Sequence, residues 1–221
     1  MYRRALLGGI AASGAVALAG CLGGEDGYRF DAEPASVPAA SLSAAGYEGD
    51  EPESFSFDEA VDVPVVGGRV SVTTWIAGYE NASRGAALFV ASTPNATIAG
   101  QSVNPLVRAD DVELLRRLLD MGDDDVDGDD LEDLEERESR TVEILGRETT
   151  VTTFEAQADL DLDEAEIDEA AVEEDVEGSV PAYVHAATVE HRDDVILLVG
   201  SHPRAVDETE TQVSLMTDVE H

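Results

Sequence analysis

The sequence predicts an α+β domain in which an antiparallel β-sheet, built from hairpins, has helices packed on it. Three observations indicate this class: segments in which apolar and polar residues alternate, short turns between those segments, and three segments with helix-capping signals or apolar stripes. Hydrophobic residues make up 43% of the 221-residue chain, which is enough to bury one core of ordinary size. We place this single domain at residues 28–221.

The first half of the domain is predicted to start with a short helix and continue with three strands. Ser36 is the expected N-cap of the helix, Pro38 lies near its first turn, and Gly46 is the expected C-cap. The strands are predicted where side chains alternate with a period of two. They span residues 55–63, 69–79 and 86–92.

A capping signal and an apolar stripe predict a second helix at residues 110–121, where Asp110 is the cap and Glu113 follows three residues later. The second half of the domain repeats the pattern of strands followed by a helix. Two hairpins are predicted, and their strands span residues 140–145 with 148–156, and 180–191 with 195–200. The run Val195–Val199 is apolar throughout, which is typical of a central strand buried on both faces. A last helix is expected to begin at Asp207.

The N-terminus resembles an export signal that ends in a lipid attachment site. Arg3 and Arg4 precede an apolar run of about 15 residues, shorter than the ~20 that a spanning helix requires. The run ends in Leu-Ala-Gly-Cys, and Cys21 is the single cysteine of the chain. These residues predict a twin-arginine signal peptide at 1–20, followed at 21–27 by a lipidated cysteine and a tether. We therefore expect a lipid anchor in the cell membrane, with the domain on the extracytoplasmic face.

Acidic residues outnumber basic residues along the whole chain. There are 49 Asp and Glu against 13 basic residues, all of them arginine, and the formal net charge is −36. This charge argues against nucleic-acid binding, because phosphates are contacted by basic side chains. Carboxylates spread over the chain in the absence of lysine are typical of a halophilic protein, since concentrated salt screens their mutual repulsion.

Two strongly acidic segments interrupt the domain, near residues 122–136 and 159–178. In the first, Asp123, Asp125 and Asp127 precede a glycine and fit the first half of a calcium-binding loop. The twelfth position of that loop is a leucine where a bidentate glutamate is needed, so a solvated acidic loop is favoured over a calcium site. The second segment is interpreted as a surface insertion, with a partner-docking segment as the alternative. No cofactor is expected.

The remaining candidate residues follow no catalytic pattern. His185, His191 and His202 lie on or beside the last hairpin, but residues 185 and 191 are ~20 Å apart along an extended strand. We interpret all three as ordinary sheet residues rather than metal ligands. The chain contains no G-x-S-x-G, P-loop or G-x-G-x-x-G motif. Asn81 and Asn95 begin N-glycosylation sequons, which matter if the domain lies outside the cell.

Residues along nearly the whole chain resemble a family of haloarchaeal lipoproteins that is known as an uncharacterised domain. The resemblance rests on the lipobox at Cys21 together with Phe30, Pro34, Gly46, Tyr47, Trp75, Tyr79, the block Ala182–His185, Gly200 and the closing Val219–His221. It implies localisation and fold but no reaction, because these motifs are structural. The order of strands and a final helix is also similar to PsbP-type α/β/α sandwiches, which host non-catalytic, membrane-associated accessory proteins.

These observations predict a lipid-anchored, non-catalytic binding or accessory module whose partners are the membrane and a surface or membrane protein. Two alternatives stand beside this interpretation. A surface hydrolase or calcium-dependent enzyme would use carboxylates that the sequence does not single out, and would need a concave pocket in which their pKa values are shifted. A small solute-binding receptor would need two lobes around a cleft, which usually takes a longer chain.

Overall fold

The computed structural model describes residues 28–63, 66–98, 101–102, 134–158 and 180–221. Two α-helices lie in these ranges, α1 (Ala39–Ala45) and α2 (Thr209–Thr217), with a 3₁₀ turn at Ala82–Arg84. The strands are β1 (Tyr28–Asp31), β2 (Glu48–Gly49), β3 (Glu53–Val63), β4 (Val66–Asn81), β5 (Ala86–Pro94), β6 (Thr97–Ile98), β7 (Gln101–Ser102), β8 (Glu135–Ile144), β9 (Arg147–Ala158), β10 (Val180–His191) and β11 (Asp194–Pro203).

The strands form one large mixed sheet with the order β1-β4-β5-β11-β10-β9-β8, while β6 and β7 pair separately. β4 is 16 residues long and has two neighbours on each edge, β2 and β3 on one and β1 and β5 on the other. The expected antiparallel arrangement holds for every pair but one, because β1 runs parallel to β4. α1, β2 and β3 lie between β1 and β4 in the chain, so no tight turn forces those two strands to be antiparallel.

The predicted hairpins and the predicted central strand are confirmed. β8 and β9 join through Leu145 and Gly146, whose φ angles of 51° and 74° lie in the left-handed region that a tight hairpin turn requires. β10 and β11 are paired over ten residues and joined through Arg192 and Asp193. β11 is the fourth strand of seven in the sheet path, and all of its residues except Ser201 are buried.

The two helices lie where the sequence places them, but their first residues differ from the prediction. α1 begins after Pro38, which occupies the N-cap position expected for Ser36, and it ends at the left-handed Gly46. Ser36 instead forms two main-chain hydrogen bonds with Glu220, of 3.0 and 2.9 Å. The N-cap of α2 is Glu208, the residue after the predicted Asp207, and the helix itself begins at Thr209. The helix predicted at 110–121 lies outside the described residues.

The main apolar core lies between the two helices and one face of the sheet, which we call the helix face. Side chains from β4, β5, β9, β10 and β11 meet α1 and α2 there, among them Leu88, Val90, Ile196, Leu198 and Met216. The opposite face carries smaller apolar clusters, one of them centred on Phe154, Val184 and Val199. Within the described ranges, neither helix is long and apolar enough to cross a membrane.

Two aromatic residues of the family resemblance, Trp75 and Tyr79, connect the segment around α1 to the sheet by hydrogen bonds. The Trp75 indole N–H donates to the carbonyl of Ala32 at 2.9 Å, and the Tyr79 hydroxyl accepts from the main-chain N–H of Val37 at 3.0 Å. Both side chains come from β4, on the helix face. Their role in the fold is to position the chain between β1 and α1.

Candidate functional site

Two buried histidines meet on the helix face of β10 and β11. His185 and His202 are 0% and 1% exposed, and their Nε2 atoms are 3.1 Å apart. His202 Nδ1 lies 3.0 Å from the carbonyl of Pro203, which can only accept, so Nδ1 carries the proton and Nε2 accepts. His185 Nε2–H therefore donates to His202, and the hydroxyl of Thr153 donates to His185 Nδ1 at 2.9 Å. Both rings are neutral.

The environment of this pair opposes protonation. Burial lowers the pKa of His185 to about 3, with smaller contributions from the charge that His202 would carry and from Arg140. Burial also lowers the pKa of His202. Within the described ranges, no third His, Cys, Asp or Glu side chain is grouped with the two rings as a metal ligand. The pair is thus a structural element, enclosed and uncharged at neutral pH.

A second buried polar group lies between α2 and the sheet and is organised by Gln212. Its Nε2 donates to the carbonyls of Ser201 and Ala87 at 2.7 and 3.0 Å, and to the hydroxyl of Tyr47 at 3.2 Å. Gln212 is fully buried, and Gly200 lies directly beneath its amide, since a Cβ there would lie 2.3 Å from Gln212 Oε1. This side chain fixes α2 over the paired residues Ala87 of β5 and Ser201 of β11.

Tyr47 extends the same group toward the surface. Burial is the main reason why the pKa of its phenol is raised to about 12, and the negative charge of Glu208 adds to the effect. The Glu208 side chain is 4% exposed and is paired with the half-exposed Arg84, whose Nε lies 3.1 Å from Oε1. The hydroxyl of Tyr47 therefore stays protonated and acts as a hydrogen-bonding group.

A serine, a histidine and an aspartate meet at the other end of β5 and β11. His221 Nε2 lies 3.1 Å from Asp194 Oδ2 and 3.3 Å from Ser92 Oγ. In a catalytic triad the two ring nitrogens face different partners, whereas here Nε2 faces both and the buried Nδ1 has no partner. Asp194 also accepts the main-chain N–H of Glu33 at 2.8 Å. Burial raises the Asp194 pKa, which these contacts partly oppose. The cluster connects separate segments of the chain, and its serine is not placed as the nucleophile of a catalytic triad would be.

The surface site that stands apart from these buried groups lies near the β4–β5 hairpin, on the sheet face opposite the helices. Phe55 and Phe89 are 53% and 41% exposed, and among the residues whose burial the structure describes they are the large hydrophobic ones that are exposed. Together with Ile76 they line a concavity of about 420 Å³. Its rim carries five carboxylates, from Glu48, Asp50, Glu51, Glu53 and Glu80. We call these eight residues the acid-rimmed aromatic patch.

Backbone geometry holds the acidic rim in place. Gly49 lies against β4 so closely that a Cβ on it would be 2.2 Å from the carbonyl oxygen of Gly78. This approach places Glu48 directly opposite Glu80 in the antiparallel pair. Like charges in that position destabilise a sheet, so the fold keeps a concentration of negative charge that its own stability does not require. Among the described lining residues of the patch none is basic.

The two glycosylation sequons occupy different environments. Asn81 is buried, and its Nδ2, the atom that would carry a glycan, donates to the carbonyl of Ala45 at 3.3 Å. Asn95 is exposed in the turn after β5, where its main-chain N–H donates to Asp193 at 2.8 Å. Of the two side chains, that of Asn95 is accessible in the folded domain.

Several predicted site residues fall on parts of the chain that the structure does not describe. They are Arg3, Arg4 and Cys21 of the export signal and the calcium candidates Asp123, Asp125 and Asp127. The acidic segment at 159–178 also lies outside the described residues, as does the first acidic segment up to residue 133. In the ranges that are described, no three His, Cys, Asp or Glu side chains are grouped as metal ligands.

Sequence reasoning identified the three histidines but missed how they are grouped. His185 and His191 lie six residues apart on the same face of β10, in line with the predicted separation, yet the pairing of Tyr183 with His202 brings His202 diagonally next to His185. The acid-rimmed aromatic patch was missed entirely. A signal for it existed in the alternation of Glu51, Glu53 and Phe55, because Glu53 and Phe55 share one face of β3 and Glu51 lies just before that strand.

Comparisons with known proteins identify the family of the chain and no function. Neither the curated proteins nor the solved structures give a match. A family described as a domain of unknown function, DUF6517, matches residues 34–220, from the segment before α1 to the residue that pairs with Ser36. Because this match covers most of the chain, the protein belongs to the DUF6517 family.

Proposed function

We propose that this protein is a non-catalytic accessory module that docks on a partner protein through the acid-rimmed aromatic patch. The observation that carries the proposal is the coincidence, at one concavity, of Phe55 and Phe89 with five surrounding carboxylates. Exposed aromatic residues surrounded by charge are typical of protein interaction sites, where rings supply buried area and the polar rim supplies specificity.

The chemistry of the patch selects the partner. A matching surface presents an apolar or aromatic segment flanked by arginine or lysine, because rim carboxylates steer cationic groups and repel acidic ones. A second copy of this chain is a poor occupant, since it carries the same acidic rim and a formal net charge of −36. The partner is therefore a different protein with a basic, apolar surface segment.

The buried polar groups support a binding role over the enzymatic alternative. The His185–His202 pair is enclosed, and the Ser92–His221–Asp194 cluster has one ring nitrogen facing both of its partners. None of the eight residues that define the acid-rimmed aromatic patch carries an imidazole or a hydroxyl group. These groups hold elements of the fold together, whereas the patch faces solvent.

The cellular setting of the proposal rests on the N-terminal residues. We place the domain outside the cell, exported through Arg3 and Arg4 and held at the membrane by a lipid on Cys21, as in the haloarchaeal lipoproteins that it resembles. As part of the same proposal, we infer that the domain is a PsbP-type sandwich. Cys21→Ala should release the protein into the medium or leave it unprocessed, which fractionation and mass measurement would detect. A Cys21→Ala variant that stays tightly membrane-bound would contradict the anchor.

The docking surface can be tested by photo-cross-linking in intact cells at native salt. A benzoylphenylalanine at position 89 should capture one partner protein, whereas the same group at the exposed position 138 on β8 should not. The captured peptide should contain apolar and basic residues. An acidic peptide, or equal capture from positions 89 and 138, would overturn the proposal.

Two variants with the same change in net charge test whether the rim carboxylates themselves are needed for capture of the partner. Replacing Glu48, Glu51, Glu53 and Glu80 by glutamine should reduce capture from position 89 at least fivefold. Replacing Glu135, Glu136, Glu138 and Glu143 on β8 by glutamine changes the net charge equally and should leave capture unchanged, because those exposed residues lie away from the patch. Equal losses in the two variants would show that net charge, and not the rim, is responsible.

A further inference from the structure

We propose that Asn95 is an N-glycosylation site of the folded domain, whereas the other sequon, which begins at Asn81, stays unmodified. Both segments fit the N-x-S/T pattern, Asn-Ala-Thr at 95–97 and Asn-Ala-Ser at 81–83. The inference rests on the extracytoplasmic setting in the proposed function, where the sugar would be transferred, and does not depend on partner docking. What separates the two sequons is how the fold presents their side chains.

The two side chains that define the Asn95 sequon both face solvent. Asn95 and Thr97 are exposed, while Ala96 between them is 2% exposed and packs against β4. The Ala96 N–H donates to the carbonyl of Pro94 at 2.8 Å, which closes a γ-turn centred on Asn95. The buried alanine therefore holds the turn on the domain, and the carboxamide and the hydroxyl on either side of it are accessible to an enzyme.

The transfer takes nothing from this chain but the carboxamide of Asn95. The donor is a lipid-linked oligosaccharide phosphate, and the catalyst is an oligosaccharyltransferase. A bond forms between Asn95 Nδ2 and C1 of the first sugar, the bond between C1 and the phosphate oxygen breaks, and one Nδ2 proton goes to the released lipid phosphate. Nothing is oxidised or reduced. The main-chain N–H of Asn95 keeps its hydrogen bond to the carbonyl of Asp193, of 2.8 Å, so the turn is preserved.

The fold protects the Asn81 sequon by using its polar atoms internally. Asn81 Nδ2 donates to the carbonyl of Ala45 at 3.3 Å, and Asn81 Oδ1 accepts from the hydroxyl of Ser83, the third residue of the sequon, at 2.9 Å. Asn81 is 7% exposed, and a Cβ on Gly46 would lie 3.2 Å from its Nδ2. A sugar on Nδ2 would displace the end of α1, so this asparagine is an acceptor only in the unfolded chain.

A glycan on Asn95 leaves the acid-rimmed aromatic patch open. Phe89 of the patch and Asn95 are six residues apart along β5 and the turn that follows it, about 20 Å for an extended chain. Asn81, in contrast, directly follows Glu80 of the acidic rim. Modification at Asn95 is therefore compatible with docking on the patch.

The test is peptide mass spectrometry of the full chain recovered from its own cells. The peptide that contains residues 95–97 should carry a sugar at an occupancy at least tenfold above that of the peptide with residues 81–83. Protease added to intact cells shows separately whether the domain lies outside. A domain that this protease digests but that is unmodified at Asn95, or equally modified at Asn81, would overturn the site alone. A protected domain would overturn the cellular setting and the site with it.

Matched variants identify the acceptor. Thr97→Val removes the sequon hydroxyl and should abolish the modification, whereas Thr97→Ser keeps the sequon and should retain it. Ser83→Ala removes the other sequon at an exposed residue and should leave the mass of the attached sugar unchanged. A sugar that survives Thr97→Val, or that is lost in Ser83→Ala, would refute the assignment to Asn95.

A reaction with purified components tests whether the fold makes the choice. An oligosaccharyltransferase supplied with its lipid-linked donor should modify the folded full chain at Asn95 and not at Asn81. Peptides spanning residues 77–87 and 91–101 lack the fold, so both should be modified, within threefold of each other. An unmodified 77–87 peptide would show that local sequence, and not burial, excludes Asn81, and modification of Asn81 in the folded chain would contradict its protection.

Discussion

The two faces of the sheet differ in which side chains they bury and which they expose to solvent. On the helix face, His185, His202 and Gln212 are polar, fully enclosed and joined to neighbours by hydrogen bonds. On the opposite face, near the β4–β5 hairpin, Phe55 and Phe89 are apolar and exposed among carboxylates. The hydrogen-bonded polar groups hold elements of the fold together, whereas the exposed rings are the ones that the proposed docking role would use. The comparison thus separates structural residues from the residues that we propose to be functional.

The largest effect is expected where the helix face is packed most tightly. Gly200→Ala places a methyl group 2.3 Å from Gln212 Oε1, and Gln212 cannot move away because three hydrogen bonds hold its amide. Overpacking of this kind should lower the free energy of unfolding by about 3 kcal/mol, measured by urea denaturation at constant KCl. Gln212→Ala should cost a similar amount.

The double variant tests whether the contact between residue 200 and Gln212 causes the loss of stability in Gly200→Ala. Gly200→Ala with Gln212→Ala should lose at least ~1 kcal/mol less than the sum of the single losses, because the clash is absent when the amide is removed. Strictly additive losses would mean that Gly200 and Gln212 act independently, and that the helix face is less tightly coupled than the structure indicates.

A smaller effect is expected from acid. The pKa of His185 is about 3 in the folded domain and 6.5 in its ordinary state, so below pH 6.5 the unfolded chain binds a proton that the folded chain does not. The contribution of neutral His185 to the free energy of unfolding is therefore fully present above pH 6.5 and decreases as the pH is lowered, by about 2 kcal/mol at pH 5. The decrease should be smaller in His185→Asn, measured by unfolding at pH 7 and pH 5 in the same salt. Equal decreases would contradict the assignment.

The smallest effect on stability is expected at the acid-rimmed aromatic patch. Phe89→Ser should change the free energy of unfolding by less than about 0.5 kcal/mol, because the ring is 41% exposed. Val90→Ser, on the next residue of β5 but fully buried on the helix face, should cost about 3 kcal/mol. Similar losses at positions 89 and 90 would show that Phe89 is part of the core and that the contrast between the faces is wrong.

Period-two alternation and turn chemistry predicted the strands around β4, both later hairpins and the burial of Val195–Val199, because these features depend on neighbours in sequence. The parallel pairing of β1 was not predicted, since it depends on where a distant strand ends. The candidate sites were harder to predict for the same reason. The register between β10 and β11 creates the His185–His202 pair, and the approach of Gly49 to β4 places Glu48 beside Glu80. Neither distance is encoded in local spacing.

The two hydrogen bonds between Ser36 and Glu220 also determine how the domain opens. They join the segment before α1 to the residue that follows Val219, so neither can separate from the sheet without breaking contacts of the other. Segments that open together exchange their amide hydrogens at a common rate. The amides of Ser36 and Glu220, though 184 positions apart in the sequence, should therefore exchange as one cooperative unit in native-state hydrogen exchange. We therefore expect the two ends of the matched family region to open together as one local unfolding unit.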